Sequence, residues 1–581
     1  LDAAQHRVQG TETIEWRNSS EVPANELYLH AYLNAFAGPR SRFLRQAPEH
    51  RRSSSESPIP GGLIIRKLSA RELGDMDLLP RLAKHSPDDP DDATDLRVDL
   101  PTAVAPGQVV TLDLEFTAVL PALVERAGFS GTFHAIAQWY PKLARRTKTG
   151  EWKHFSYDAL AEFSSDFGDY DVTLDVPNGF VIAAPGHSTL VAQDATRHRE
   201  RYCTSAVHDF AWFAWDRFVV TTAQFGTVNA RVYASRDQAG NTRRTLESLK
   251  FGLDQFGTWL FPYPYADLTV VHPPDNARAA GGMEYPQLIT TGGPWFLSDV
   301  GLHAIEALTL HELGHQWFFG AIASDEYWFP VLDEGLTSWL EAKAMQRRFG
   351  NASLIDTPFF SVSEAALRHL QARRYSRRGP LAIPAPDFGD FDGLAGRVYA
   401  RFPTLLDTIG AVYGEARLAT AIAGFARKYR FAHPDVSDFL EAMRMGLDHG
   451  AYMALSTSLA SDGWVDFAVT NITVAPSTNG VFENRIQLER RGTLDFPIEL
   501  QVQFENGHIA RRHIVSVRSS QWIDWPYVSR VRVATLDPEH RIAIDDDLGN
   551  QSRRVGPPDT NSRLALLIHW ILSILWSFGW P

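Results

Sequence analysis

The length, composition and charge of the chain already exclude several kinds of protein. With 581 residues it is too long for one ordinary hydrophobic core, so we expect roughly three domains. Its formal net charge of −13 argues against nucleic acid as a partner and offers no attraction to anionic membranes. Cys203 is the single cysteine, which excludes an intramolecular disulfide and a cysteine metal cluster.

Residues 1–220 are predicted to form an N-terminal β-rich domain. Short β-favouring runs such as TETIEWRN and DYDVTLDVPNGFVIAA are bounded there by Asn, Gly, Pro and Asp. The first residue is Leu1 and no signal peptide precedes it, so we expect that an N-terminal piece has been removed or left out.

Residues 221–460 change from strands to helices. RVYASR, ADLTVVHPP and GGMEYPQLITT are predicted strands, and RRTLESLKFGLDQFGTWL is a predicted helix. A second helical run is predicted from Gly301 to Phe319, and further helices follow Glu334 to about Gly450. This order predicts a multidomain α+β protein with a second domain at 221–460.

The C-terminal part predicts two further segments. Residues 461–550 return to strands, as in FAVTNITVA and FPIELQVQFENG, and indicate a small β-sandwich. Residues 551–581 read as a linker and a hydrophobic tail helix, whose apolar run 564–581 has about the minimum length that spans a bilayer. Its tryptophans favour a membrane anchor or interfacial helix. The alternative is a helix packed on the protein's own surface or on a partner membrane protein.

The most informative stretch runs from His311 to Glu334. His311 and His315 are four residues apart, so on a helix their imidazoles share one face and can reach one metal ion. Glu312 borders the same site, and Glu334 at the start of the next predicted helix can return a carboxylate. The alternative is a pair of buried helix histidines. The helical run around the motif and the spacing to Glu334 favour the metal.

Two linked motifs carry a family resemblance. HELGHQWF, followed by Glu334 in DEGLTSWLE, resembles the gluzincin aminopeptidases, the zinc exopeptidases of the membrane alanyl aminopeptidase type. The family's G-x-M-E-N motif corresponds to Gly281–Tyr285, with Tyr285 in place of Asn, and Asp333 replaces the Asn that precedes the glutamate ligand. The resemblance implies a thermolysin-like catalytic domain and one Zn²⁺ per chain, bound by His311, His315 and Glu334.

The resemblance also implies roles for two further side chains. Glu312 would act as general base, taking a proton from the zinc-activated water and passing it to the leaving amine. Tyr399, in GRVYARFPTLLDTIG, matches the family tyrosine that donates a hydrogen bond to the developing oxyanion. Its alternative is an ordinary tyrosine of an amphipathic helix.

An aminopeptidase must also bind the free α-ammonium group of its substrate. Glu284 fits this role by its place in the motif, and Gly281, Gly282 and Met283 would bind an extended substrate backbone. The family supplies a second amine anchor from its first domain. We expect Gln138, in GTFHAIAQWYPKL, to be that anchor, with a structural role as the alternative.

Other polar residues near the motif receive smaller roles. Asp333 either orients a zinc ligand or caps the helix of Glu334. His303 lies two helical turns from His311, about 12 Å away and beyond a shared metal. His272 and Cys203 have no supporting context.

Taken with the tail, the resemblance predicts a zinc-dependent aminopeptidase that hydrolyses N-terminal residues from peptides. We expect it in the bacterial cell envelope, associated with the membrane, with its catalytic domain periplasmic or extracellular. Two alternatives remain: an epoxide hydrolase of the leukotriene type built on the same site, and a membrane-associated scaffold or complex subunit with a dormant site.

Overall fold

The computed structural model describes residues 1–46, 59–86, 89, 91–293, 301–358, 360–374, 379–477 and 479–556. The described residues divide into two compact units. The first comprises Leu1–Gln371, Leu381–Pro403 and Ala419–Gly446, and the second comprises the remainder. The division of the chain at residues 220, 460 and 550 stays a prediction.

The first unit begins with antiparallel sheets, as the N-terminal sequence predicts. Within its described residues, one four-stranded sheet has the order Arg7–Arg17, Val109–Val119, Gly62–Ala70, Met76–Asp77, and another has the order Lys142–Leu143, Ala24–His30, Asp95–Val104, Leu82–Lys84. A three-stranded sheet contains Gly168–Pro177, Arg197–Val207 and His187–Gln193. A further sheet contains Val181–Ala183, Trp212–Trp215, Phe133–Ile136 and Gly128–Ser130, and Arg145–Arg146 pairs with Trp152–Lys153.

A mixed sheet follows and carries the functional helices. Its described strands are Val219–Phe225, Val228–Ala234, Asp267–Val271 and Leu288–Thr290, and the last two run parallel to their neighbours. Helix Ala239–Trp259 packs against Ala304–Gly314, which we call the histidine helix. Gly252 permits this contact, because a Cβ there would lie 2.5 Å from Leu313 Cδ2.

The next helix supplies the acidic residues of the motif. It begins with the π-helical turn Val331–Gly335 and continues as the α-helix Leu336–Phe349, and we call the two together the glutamate helix. The remaining described α-helices are Arg42–Arg45, Glu364–Arg374, Phe391–Leu394, Phe402–Ile409, Glu415–Lys428, Val436–Gly446 and His449–Ala460, with π-helical turns at Ala395–Arg401 and Gly410–Gly414.

The second unit contains the predicted C-terminal strands in two sheets. Its described strands are Val465–Pro476, Phe482–Gly492 and Ser520–Tyr527 in one sheet, and Ile509–Ile514, Ile498–Phe504, Val531–Leu536 and Ser552–Arg554 in the other. The predicted tail helix 564–581 lies outside the described residues. Among the helices that are described, none has the length and apolar character needed to cross a bilayer.

Two predicted elements are shorter than expected. The helical run ends at Gly314 rather than Phe319. The N–H groups of Gln316 and Trp317 bond three residues back, to the carbonyls of Leu313 at 3.0 Å and Gly314 at 2.9 Å, which interrupts the α-helical pattern. The strand predicted over GGMEYPQLITT is limited to Leu288–Thr290, and Met283 joins it through a single bridge to Thr290. Pro286 has no N–H to extend the ladder.

Candidate zinc site

Three predicted ligand atoms converge between the histidine helix and the glutamate helix. The Nε2 atoms of His311 and His315 lie 3.1 Å apart, and Glu334 Oε2 lies 3.1 Å from each. Donors around a tetrahedral zinc, bonded at about 2.0–2.2 Å, lie about 3.3–3.6 Å from one another. Two imidazole nitrogens and one carboxylate oxygen in this triangle therefore fit zinc, with small outward movements on binding.

Close packing of the two helices brings these atoms together. A Cβ on Gly314 would lie 3.0 Å from Thr337 Cγ2, so glycine lets the glutamate helix approach beside His315. A Cβ on Gly335 would lie 2.6 Å from Phe402 Cδ1, so glycine next to Glu334 is needed on the other side. The position of the glutamate carboxylate thus depends on two glycines that the sequence places inside the motifs.

Acidic side chains hold the outer nitrogens of both histidines. Asp333 Oδ1 lies 2.5 Å from His315 Nδ1, and Glu341 Oε2 lies 3.2 Å from His311 Nδ1. Glu341 is in turn 3.3 Å from the guanidinium of Arg368. A carboxylate on Nδ1 fixes the tautomer that leaves Nε2 as the donor to a metal. Asp333 therefore lies where a residue that orients a ligand would lie, inside the π-helical turn.

Burial and charge pairing set the protonation of this cluster. Burial alone would lower the pKa of His311, but hydrogen bonds to Glu334 and Glu341 raise it to about 10. Burial likewise opposes charge on His315, while Asp333 and Glu334 raise its pKa well above the ordinary value. Burial would raise the pKa of Glu334, but His315 and His311 hold it well below its usual range. A divalent cation would take over the positive charge that these protons supply.

Tyr399 lies beside the three ligand atoms, and Glu312 follows His311 directly in the histidine helix. Glu312 is buried and is among the carboxylates that raise the pKa of Glu284. The ring of Tyr399 lies 6.0 Å from the ring of His311, on the π-helical turn Ala395–Arg401. Burial and a hydrogen bond to Glu334 raise the pKa of Tyr399 well above 10, so its hydroxyl stays protonated and can donate.

A group of carboxylates that the motif alone does not contain adjoins the site. One oxygen each of Glu162, Glu284 and Glu334 lie within 4.8 Å of one another, and all three residues are buried. Burial, followed by repulsion from Glu162, raises the pKa of Glu284 well above its usual range. Glu326 accepts a hydrogen bond from the backbone N–H of Glu162. The cluster can hold a cation next to the metal position.

The comparisons with known proteins agree with this geometry. Residues 242–458 match the model of the peptidase family M1 domain. This segment is therefore similar to the peptidase family M1 domain. The matched residues include the Gly281–Tyr285 motif, the histidine helix, the glutamate helix and Tyr399. Glu162 and the C-terminal strands lie outside the match.

Curated M1 relatives align with about a third of the chain. Aminopeptidase M1-B of Oryza sativa subsp. japonica is 28% identical over 217 residues, which is 36% of this chain and 24% of that protein. Aminopeptidase 2 of Candida albicans is 26% identical over 205 residues, which is 34% of this chain and 21% of that protein. The alignments thus span about a quarter or less of these relatives.

Solved M1 structures share the fold over a longer part of the chain. Legionella pneumophila aminopeptidase A, solved with aspartic acid, has a TM-score of 0.63 at 12% identity, covering 93% of this chain and 57% of that one. The M1 zinc metallopeptidase of Deinococcus radiodurans has a TM-score of 0.54 at 15% identity, covering 78% of this chain and 90% of that one. The chain therefore has the multidomain, mixed sheet and helix fold of M1 aminopeptidases.

Gln138, the predicted second amine anchor, contacts a carboxylate outside the metal cluster. Its amide donates to Asp209 Oδ2 at 2.6 Å, and Asp209 also pairs with Lys142 Nζ at 2.8 Å. The side chain that lies near the Glu284 carboxylate is that of Glu162, with carboxylate oxygens of the two within 4.8 Å of one another. Glu162 is not among the residues predicted from the sequence, although a carboxylate inside the apolar run ALAEF is an available signal, since a buried charge needs a partner.

The other predicted residues fall near the site or outside it. Gly282 N–H donates to the Thr290 carbonyl at 3.0 Å and the Met283 carbonyl accepts from Thr290 N–H at 2.7 Å, so part of the proposed substrate strand already pairs with the sheet. His303 stacks on Phe349 and contacts the Ala352 carbonyl. Cys203 is exposed.

Proposed function

We propose that the chain is a zinc-dependent metallo-aminopeptidase that hydrolyses N-terminal residues from peptides. The observation that carries this is the triangle of His311, His315 and Glu334 donors with the carboxylates of Glu162 and Glu284 beside it. A metal site for peptide hydrolysis and a cation site for a free amine, a few ångströms apart, restrict cleavage to the first peptide bond.

The ligand residues also fit the ion that the family implies. His311, His315 and Glu334 would hold the zinc, and Asp333 and Glu341 would orient the two imidazoles. When bound, zinc supplies Lewis-acid activation of water and of the peptide carbonyl. The donor set and the carboxylates behind it match a catalytic site rather than a closed structural one.

The chain's own groups would perform the remaining steps. Glu312 takes the proton of the attacking water and delivers it to the leaving amine. Tyr399 donates its hydroxyl hydrogen bond to the carbonyl oxygen as negative charge develops there, which its raised pKa supports. Glu284 and Glu162 bind the α-ammonium group, and its positive charge offsets the repulsion between their carboxylates.

A panel of aminoacyl-coumarin substrates, with and without a chelator, tests the proposal. We expect cleavage of the free-amine substrates, loss of cleavage on chelation, and recovery with zinc. The matched N-acetyl substrates should remain uncut. Glu312→Gln should lower kcat about 10²–10⁴-fold while zinc stays bound. Protein that carries no zinc, or a Glu312→Gln variant with unchanged behaviour, would favour the scaffold alternative, and turnover of a lipid epoxide alone would favour the hydrolase.

The proposal also covers the arrangement of the domains and the attachment of the protein to the cell envelope. The similarity to M1 structures supports a thermolysin-like catalytic domain at 221–460 between an N-terminal β-rich domain and a small β-sandwich. The apolar composition of 564–581 supports attachment to the bacterial cell envelope. Fractionation of cells that produce the chain with and without these residues tests the attachment: only the longer protein should sediment with membranes.

A further inference from the structure

A buried arginine contacts the amine-binding carboxylates of the proposed site. The side chain of Arg126 is only 4% exposed. Its guanidinium donates to a carboxylate oxygen of Glu162 and, at 3.0 Å, to the carbonyl oxygen of Ala161. The same group lies 5.3 Å from the ring centre of Phe163. Three successive residues therefore fix the guanidinium, and it in turn fixes the carboxylate of Glu162.

The backbone of Arg126 contacts the segment that precedes Glu284, the other amine-binding carboxylate. Its N–H donates to the carbonyl oxygen of Ala279 at 2.9 Å. Ala279 belongs to the short 3-10 helix Asp275–Ala280, which leads directly into Gly281 and Glu284. Arg126 itself has a φ of 59°, in the left-handed region that side chains other than glycine seldom adopt. This conformation lets one residue face Ala279 with its backbone and Glu162 with its side chain.

Glu162 is held at a second point by Glu326. The carboxylate of Glu326, 1% exposed, accepts the backbone N–H of Glu162. Glu162 is thus fixed by its main chain through Glu326 and by its side chain through Arg126. Loss of the guanidinium would remove the Arg126 contact from the carboxylate, while the backbone contact with Glu326 stays in place.

The negative charges of the neighbouring glutamates explain why a positively charged side chain is needed at position 126. Glu162, Glu284 and Glu334 lie within 4.8 Å of one another, and like charges at such distances repel strongly in a buried site. Burial opposes the charge of Arg126, but Glu162 above all raises its pKa well above the ordinary value. Smaller contributions come from Tyr157, Glu125 and Glu284, in that order. Arg126 is therefore a permanent positive charge that offsets part of the repulsion.

We propose that Arg126 is a positioning residue that sets the separation of Glu162 and Glu284 and so makes them selective for a substrate's α-ammonium group. The proposal rests on the proposed function, because it assigns these two carboxylates to the substrate amine. Arg126 does not touch the substrate in this account. It acts through Glu162 with its side chain and through the 275–280 segment with its backbone.

A pair of zinc-binding inhibitors tests the role without relying on turnover. Leucine hydroxamate carries the α-amine, and 4-methylpentanohydroxamate is the same molecule without it. The Kd of 4-methylpentanohydroxamate divided by the Kd of leucine hydroxamate measures the contribution of the amine. The Kd of 4-methylpentanohydroxamate alone measures binding at the zinc site. We expect Arg126→Met to lower this ratio about tenfold to a hundredfold, the range for a hydrogen bond to a charged group. The Kd of the amine-free hydroxamate should stay within about twofold.

Arg126→Lys and Arg146→Met serve as the companion variants. Lysine keeps the charge but cannot make both side-chain contacts, so it should restore part of the ratio. Arg146 is also buried, donating to the Pro23 and Gly150 carbonyls, and Arg146→Met controls for loss of a buried arginine. With aminoacyl substrates, Arg126→Met should raise KM more than it lowers kcat. If Arg126→Met does not fold, Arg126→Lys with its intermediate ratio decides.

The outcomes separate the two proposals. A wild-type ratio near one would contradict the amine site, and failure of both hydroxamates to bind zinc-loaded protein would contradict the zinc site. A large wild-type ratio that Arg126→Met and Arg126→Lys leave unchanged would overturn the positioning role alone. An equal loss in Arg146→Met would do the same, because the effect would then be one of general stability.

Discussion

The contact between Asp333 and His315 gives a quantitative prediction for zinc affinity. Asp333 Oδ1 lies 2.5 Å from His315 Nδ1, with the two side chains 0% and 1% exposed, so water cannot replace the carboxylate. Removing a carboxylate that orients a metal-bound histidine weakens metal binding about 10–100-fold, or about 1.4–2.7 kcal/mol. We expect Asp333→Ala to fall in this range. Among the described residues, the partners of Nδ1 that remain are neutral oxygens, the Phe318 carbonyl at 3.1 Å and Thr337 Oγ1 at 3.3 Å.

Asp333→Asn separates the hydrogen bond from the charge. The amide oxygen can still accept from Nδ1–H, so we expect a smaller loss than in Asp333→Ala. Glu341→Gln is the matched change at His311, where the contact is longer at 3.2 Å, and it should cost less than Asp333→Ala. Competition with a chromogenic chelator at fixed pH gives the three zinc Kd values. Wild-type affinity in Asp333→Ala, or weaker binding in Asp333→Asn than in Asp333→Ala, would refute the reasoning.

Three further predictions concern catalysis, packing and pH. Tyr399→Phe should lower kcat about 10²–10³-fold with zinc retained, as for the loss of one oxyanion donor, and an unchanged kcat would remove the assigned role. Gly335→Ala should lower the free energy of unfolding of the zinc-free protein by about 1–3 kcal/mol, measured by denaturant, because its Cβ would lie 2.6 Å from Phe402 Cδ1. Burial lowers the pKa of His272 from 6.5 to about 4, so the unfolded chain takes up the proton first as the pH falls. Between about pH 7 and pH 5, wild type should lose about 2 kcal/mol more stability than His272→Gln, and equal losses would contradict this.

The metal ligands could be predicted from the sequence because their geometry is local. His311 and His315 share a helical face at a spacing of four, and the helix places them correctly even though it ends at Gly314. Trp317 and Phe318, at the end of the predicted helical run, are fully buried, but Trp317 lies in a turn and Phe318 forms an isolated bridge with Ile322. Apolar composition alone does not separate a helix from a buried turn, so the end of the helix could not be predicted.

The amine-binding residues depend on long-range packing instead. Glu284 was found from its motif, but Glu162 follows strand Trp152–Lys153 in another part of the unit, and only the tertiary fold brings it to Glu284. Gln138 is the sequence candidate for the second anchor, with a structural role as the alternative, and its amide donates to Asp209. Arg126 gave no signal in the sequence, because its role depends on a backbone conformation and on contacts with Ala161 and Ala279.

The most direct test of the central claim is the anomalous scattering of zinc-loaded crystals at the zinc edge. We expect one peak per chain, about 2.0–2.2 Å from Nε2 of His311, Nε2 of His315 and a carboxylate oxygen of Glu334. A zinc peak bound elsewhere, or a peak that contacts both imidazoles while Glu334 stays out of bonding range, would contradict it.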